Sequence, residues 1–206
     1  YLGTILEDPL YDILYTDVIV DPESEETYGF RYALERPETF WFDDRFAAAQ
    51  QTLDALHPDT INDILGFANT QTQFVYHRHS DRNPGEWRLY HADTRQDELL
   101  LAASPQIDPS RTAPVEPVSF AARDGQTLYG YLARPKDWDG SPSKTLVMLH
   151  GGPRTRDVWG WDRESQFFAA LGYAVLKLNY RGSEGYGVAY SPYSHFSSMR
   201  SSVSDT

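Results

Sequence analysis

The sequence predicts two architectures in series: an all-β first part, then an α/β second part organised around a parallel sheet. Three observations lead there. Short β-rich segments recur through the first half, a strand, turn, helix and strand follow one another from Leu146 to Gly187, and prolines crowd the stretch between the two regions. At 206 residues, with 40% hydrophobic and 14% aromatic side chains, the chain has the composition of a globular protein with room for one or two domains.

In the first region, strands are expected at Tyr11 to Val20, Thr27 to Leu34, Gln73 to His77, Trp87 to His91 and Leu99 to Ala102. Turn clusters such as Asp81-Arg82-Asn83-Pro84-Gly85 separate them. That is the pattern of propeller blades or of a sandwich. One helix interrupts it, from Asp44 to His57, with Phe46, Ala49, Leu53 and Leu56 apolar at helical spacing. Pro105, Pro109, Pro114 and Pro117 mark the linker.

Beyond the linker, Pro117 to Phe120 and Leu128 to Leu132 flank an Asp124-Gly125 turn and read as a hairpin. Thr145 to Leu149 is an apolar run too short for a helix and closed by His150-Gly151-Gly152-Pro153, so it predicts a buried strand. Asp162 is placed to cap a helix from Arg163 to Leu171, with Phe167, Phe168 and Leu171 on its apolar side and Gly172 ending it in the left-handed conformation. Tyr173 to Asn179 is the second buried strand, and the connection is long enough for the crossover that parallel neighbours need.

Several chemical readings are set aside. In His77-Arg78-His79-Ser80-Asp81 the two histidines share one strand face, but the sequence offers no third ligand, so no metal site is expected. Ser183 lacks the glycine two positions before it that a nucleophile elbow requires, since Arg181 stands there; it reads as a turn residue, with Arg181 expected to pair with a carboxylate. The glycines from Gly182 to Gly187 lack dinucleotide-loop spacing, so no cofactor is expected. His150 reads as a structural histidine bonded to its loop, and the acidic run Asp21 to Glu26 as a solvated loop. A net charge of -12 argues against a nucleic-acid partner. Cysteine is absent, which removes disulfides and a thiol nucleophile. No apolar run predicts a membrane span, and a cytoplasmic location is expected.

The second region resembles the prolyl oligopeptidase-like serine peptidases, in particular the acylaminoacyl-peptidase and dipeptidyl-aminopeptidase branch. The resemblance rests on His150-Gly151-Gly152-Pro153, Asp157, Trp159-Gly160, the Gly172-Tyr173-Ala174-Val175-Leu176 strand entry, Asn179-Tyr180-Arg181-Gly182-Ser183 and Gly185-Tyr186-Gly187. It implies the N-terminal portion of an α/β-hydrolase domain preceded by the last blade or blades of a β-propeller. It also implies acyl transfer on peptides by a serine nucleophile, a histidine base and an orienting aspartate. The backbone N–H of Gly152, then that of Gly151, would be oxyanion-hole donors.

The expected organisation is therefore 1–113 propeller-like, 114–190 hydrolase-like, and 191–206 a disordered or aberrant tail carrying seven serines. No G-x-S-x-G elbow occurs in the sequence, so no catalytic serine, aspartate or histidine is assigned and the chain is read as a truncated, inactive piece of a peptidase. Its partner would be a peptide substrate; the sequence does not reveal the oligomeric state. A carboxylesterase of the same fold and a non-catalytic β-rich binding module are the alternatives.

Overall fold

The computed structural model describes residues 3–13, 17–21, 24–67, 72–152, 155–191 and 203–205. β1 (Asp17–Val20), β2 (Thr27–Ala33) and β3 (Pro37–Trp41) pair antiparallel in that order. Asp43 then caps α1 (Asp44–Leu56) by accepting a hydrogen bond from the Arg45 amide, which satisfies one of the donors a helix start leaves free. Phe46, Ala49 and Leu53 form the buried stripe of α1 and pack with Tyr28, Ile64, Phe74, Tyr76 and Tyr90. Leu56, expected on that stripe, is 51% exposed, because it lies on the final turn, past the last core position at Leu53.

β4 (Ile61–Phe67), β5 (Gln73–His79), β6 (Glu86–His91) and β7 (Gln96–Ala102) form an antiparallel meander. Neither β3 nor β4 is predicted from sequence. β3 opens on a proline, and β4 carries Asn62, Asp63 and Gly66, with a bulge between Ile64 and Gly66; these residues are depleted in strands. Tertiary bonding overrides the propensity: the buried Asn62 side chain donates to Asp54 Oδ1 of α1 (3.0 Å) and accepts from Thr60 Oγ1 (3.1 Å). Among the described residues the strands form separate sheets that do not close into a propeller ring.

After a 3-10 turn at Pro109–Arg111 comes the third sheet, of β8 (Val115–Ala121), β9 (Thr127–Ala133), β10 (Thr145–Leu149) and β11 (Ala174–Asn179), in the order β10-β11-β9-β8. The β8–β9 hairpin turns at Asp124-Gly125, with Gly125 at φ +85°. Pro117, counted above in the linker, sits inside β8, and the missing N–H is tolerated because β8 is an edge strand. β11 is antiparallel to β9 and parallel to β10, from which it is reached through α2 (Arg163–Ala170). Asp162 caps α2 through Ser165 N (2.7 Å), and Gly172 follows it at φ +89°.

The buried face of α2 differs from the expected one. Phe167 and Leu171 are 58% and 60% exposed, while Ser165, Gln166 and Ala169 are buried and Phe168 alone of the three apolar residues packs on the core. The reason is polar. Gln166 Oε1 accepts from Ala113 N (2.8 Å), and its Nε2 donates to Asp81 O (3.0 Å) and Ala113 O (2.8 Å). That network rotates α2 so that its amide, rather than Phe167, faces the linker.

The meander and the third sheet are thus joined by hydrogen bonds to otherwise orphaned backbone. Asp81 Oδ2 accepts from Val115 N (2.7 Å), Trp159 Nε1 donates to Val115 O (2.9 Å), and Thr112 Oγ1 donates to Arg82 O (3.1 Å). Burial pushes the Asp81 carboxyl above the usual carboxylate range, against the opposing pull of the Val115 amide, Arg36 and Arg82. Among the described residues no helix is long and apolar enough to cross a membrane.

Candidate functional site at the carboxyl edge of the parallel strands

β10 and β11 run parallel in matched register from Thr145↔Ala174 to Leu149↔Leu178, so the segments that follow them emerge side by side. In open α/β sheets this carboxyl edge is where ligands bind. The first segment is His150-Gly151-Gly152; Pro153, which completes the turn in sequence, lies outside the described residues. Gly151 and Gly152 are both exposed, and Gly152 sits at φ +133°, a conformation side chains rarely adopt. Among the described residues no acceptor takes either amide.

The second segment, Tyr180 to Gly187, holds the first in place. Tyr180 OH donates to His150 O (2.8 Å), and its ring stacks on the His150 imidazole at 4.5 Å. Ser183 is fully buried; its Oγ donates to Tyr180 O (2.6 Å) and lies 2.8 Å from His150 Nε2. His150 Nδ1 is 2.9 Å from Gly151 O, so the ring is tied to the carbonyl between the two candidate amides. Ser183 is therefore a brace under the loop, matching its reading as a turn residue, and His150 is bonded to its own loop.

The motif residues before Ser183 each grip a different neighbour. Asn179, fully buried, accepts from Asp157 N (2.7 Å) and donates to Asp157 O (3.0 Å) and Tyr186 OH (2.9 Å). Arg181 pairs with Asp124 of the hairpin turn (2.5 Å) and with Asp205 (2.5 Å), as a carboxylate-bound arginine was expected to. Asp205 belongs to the 191–206 tail; residues 192–202 and 206 lie outside the described residues. Lys177 is flanked by Asp157 (2.8 Å) and Asp162 (3.4 Å), and although burial lowers its proton affinity, the two carboxylates outweigh that and raise it above the ordinary value.

Sequence reasoning missed Arg156. Its guanidinium donates to Leu34 O (3.0 Å) and Tyr131 OH (3.3 Å) and lies 4.4 Å from the Tyr186 ring centroid, tying this edge to the end of β2. Tyr131 OH in turn donates to Glu35 O (2.9 Å). A single arginine in a loop has no periodicity to reveal such a role. Burial raises the phenol of Tyr11, on the same cluster, to about 12, so it stays a neutral ring at physiological pH. His77 and His79 lie far along the chain, on β5, where the strand runs into the Ser80-Asp81 turn.

No family model matches the chain. It is 30% identical over 200 residues to dipeptidyl aminopeptidase BIII of Pseudoxanthomonas mexicana, an alignment covering 89% of this chain and 27% of that protein. Its fold matches acylaminoacyl peptidase of Pyrococcus horikoshii with a TM-score of 0.54 at 19% identity, covering 88% of this chain and 27% of the other. It also matches a solved prolyl endopeptidase with a TM-score of 0.64 at 16% identity, covering 97% and 29%. The chain spans about a quarter of the length of the curated relatives it matches. The likeness runs through both the meander and the parallel strands, in sequence to a dipeptidyl aminopeptidase and in fold to prolyl oligopeptidase-like structures, so the chain is similar over most of its length to one part of the prolyl oligopeptidase-like serine peptidases.

Proposed function

We propose that the whole protein hydrolyses short peptides through an acyl-enzyme, and that this chain contributes the Gly152 and Gly151 amides of its oxyanion hole. The observation that carries the reading is the exposed pair of amides at the carboxyl end of β10, braced from beneath by Tyr180 and Ser183. Backbone donors fixed before reaction stabilise the developing oxyanion without reorganising, and one such donor contributes about 3 to 4 kcal/mol to the barrier. The nucleophile and its base come from polypeptide other than these 206 residues, which hold no G-x-S-x-G. A further strand pairing on the free edge of β10 would bring its own carboxyl end beside Gly151. The half-exposed Val147 and Leu149 on that strand suit such a neighbour. Residues 1–113 are then the end of a propeller and 114–190 the start of the hydrolase domain.

Loss of a nucleophile costs on the order of a millionfold, so the 206 residues alone are inactive. A fluorophosphonate probe leaves this chain unlabelled on the proposal; labelling at Ser183 or any other serine overturns it. In protein expressed with the continuing coding sequence, hydrolysis of dipeptide amides supports a peptidase, whereas turnover of simple esters alone assigns the fold to an esterase.

A further inference from the structure

The meander brings together three side chains that the sequence keeps apart. Asp63 on β4 stands directly opposite His77 on β5, and His79 lies two residues along β5 on the same face. Each offers a ligand atom, and the three atoms lie within 4.8 Å of one another. His79 Nε2 and Asp63 Oδ2 are already 3.0 Å apart. The missing third ligand that argues against a metal in the sequence is therefore Asp63, supplied by a strand that sequence patterning does not predict.

Two further features single out the cluster. His77 is stacked between His79 and Trp87, each at 4.8 Å, and its Nε2, buried without a hydrogen-bond partner, lies against Gly85, so ligation turns the ring out of the stack. Asp63 is held from the other side, with Arg31 Nε 3.2 Å from Oδ1, leaving Oδ2 turned toward the histidines. A carboxylate oriented by an outer partner while its second oxygen faces two imidazoles is the arrangement of a supported ligand.

We infer that Asp63, His77 and His79 form a binding site for a divalent late first-row metal ion, with zinc as the best fit. Two imidazoles and one carboxylate are borderline ligands that suit zinc, whereas calcium and magnesium require oxygen donors throughout. Tetrahedral zinc with bonds of about 2.1 Å separates its ligands by roughly 3.4 Å, so closure from 4.8 Å needs the ligand atoms to approach by up to about 1.4 Å through side-chain rotation. Water completes the fourth position. The ion clips β4 to β5 beside the β4 bulge, on the edge strand of the meander. This site is independent of the peptidase reading, being on a different sheet from Gly151 and Gly152.

The test uses the full chain freed of metal with a chelator. Zinc titrated by calorimetry binds at micromolar concentration with one-to-one stoichiometry and raises Tm. Cobalt substituted for it gives the visible ligand-field bands of a four-coordinate ion. His79→Gln, His77→Gln and Asp63→Asn each weaken zinc binding at least about tenfold to a hundredfold. His91→Gln, which removes a histidine bonded to Gln73 outside the cluster, leaves it unchanged. Melting in chelator shows which variants fold, and the cobalt spectrum of the unmutated chain reads out ligation with no variant at all. Absence of zinc binding below about millimolar, an octahedral all-water cobalt spectrum, or zinc binding that survives all three substitutions overturns the assignment.

Discussion

Replacing Gln166 by alanine tests the junction between the meander and the third sheet. The Gln166 side chain makes three hydrogen bonds, to Ala113 N, Ala113 O and Asp81 O, in a place where both Gln166 and Ala113 are buried. Each such bond contributes a net of about 1 kcal/mol, and an amide N–H left buried without a partner costs about 1 to 3 kcal/mol by itself. The two carbonyls tolerate the loss better, so the expected destabilisation is about 3 to 4 kcal/mol. Taking an m-value of about 2 kcal/mol per molar urea, the unfolding midpoint falls by about 1.5 to 2 M. Trp159 is a built-in reporter, because it is buried at the same junction and donates to Val115 O. Gln166→Glu sharpens the test. It keeps the acceptor for Ala113 N but turns lone pairs toward two carbonyls, so at neutral pH it is as damaging as alanine and recovers on acidification, when the carboxyl regains a donor proton. A loss below about 1 kcal/mol for the alanine variant, or a glutamate variant that matches the unmutated chain at pH 7, would refute the view that this side chain locks the two sheets.

Three other outcomes are expected. In Gly130→Ala the new Cβ falls 2.5 Å from Lys177 O, a backbone atom in the neighbouring strand that cannot swing aside, so the β9–β11 pairing is lost and the soluble yield and near-ultraviolet dichroism collapse; a normal melt contradicts this. Tyr180→Phe removes the hydroxyl bonded to His150 O while keeping the stacked ring, which costs about 1 kcal/mol and speeds amide exchange at Gly151; unchanged exchange removes Tyr180 from the brace. Asp97 is raised by burial but pulled further down by hydrogen bonds from Arg88, His57 and Tyr76, ending below its ordinary 3.8. A carboxyl depressed on folding stabilises above its unfolded value and loses that contribution as pH falls through its folded one. The stability gap between the unmutated chain and Asp97→Asn, read from urea midpoints, therefore narrows from pH 6 to pH 3; a constant or widening gap counts against the network.

What could be read from the sequence depended on whether the signal was local. The helix at Asp44 is announced by apolar spacing, α2 by Asp162 and Gly172, and the hairpin by Asp124-Gly125, because helical periodicity, capping and left-handed turns are decided by residues a few positions apart. β3 and β4 escaped because Pro37, Asn62, Asp63 and Gly66 are poor strand formers whose pairing is set by partners distant in the chain. The exposed face of α2 escaped for a related reason. Apolar spacing points Phe167 inward, but the backbone of Ala113, 53 residues away, needs a donor and an acceptor that Gln166 alone supplies. After β10 the glycine turn was legible from its own chemistry. Arg156 and the third member of the Asp63 cluster were not, since each acquires its role only when distant strands meet.

The Asn179-Tyr180-Arg181 segment joins the glycine turn to a sheet the turn does not belong to. Tyr180 fixes the carbonyl of His150, and Asn179 fixes Asp157 with a reciprocal pair of bonds. Asp157 is adjacent to Arg156, which is itself committed to Leu34 O and Tyr131 OH. Two successive residues at the end of β11 therefore connect the glycine turn on one side with the end of β2 on the other, through directional bonds to buried or half-buried groups rather than through apolar packing that could slide. Packed and hydrogen-bonded elements of this kind move together or not at all. Gly151 and Gly152 are in this way positioned by contacts from both parts of the chain.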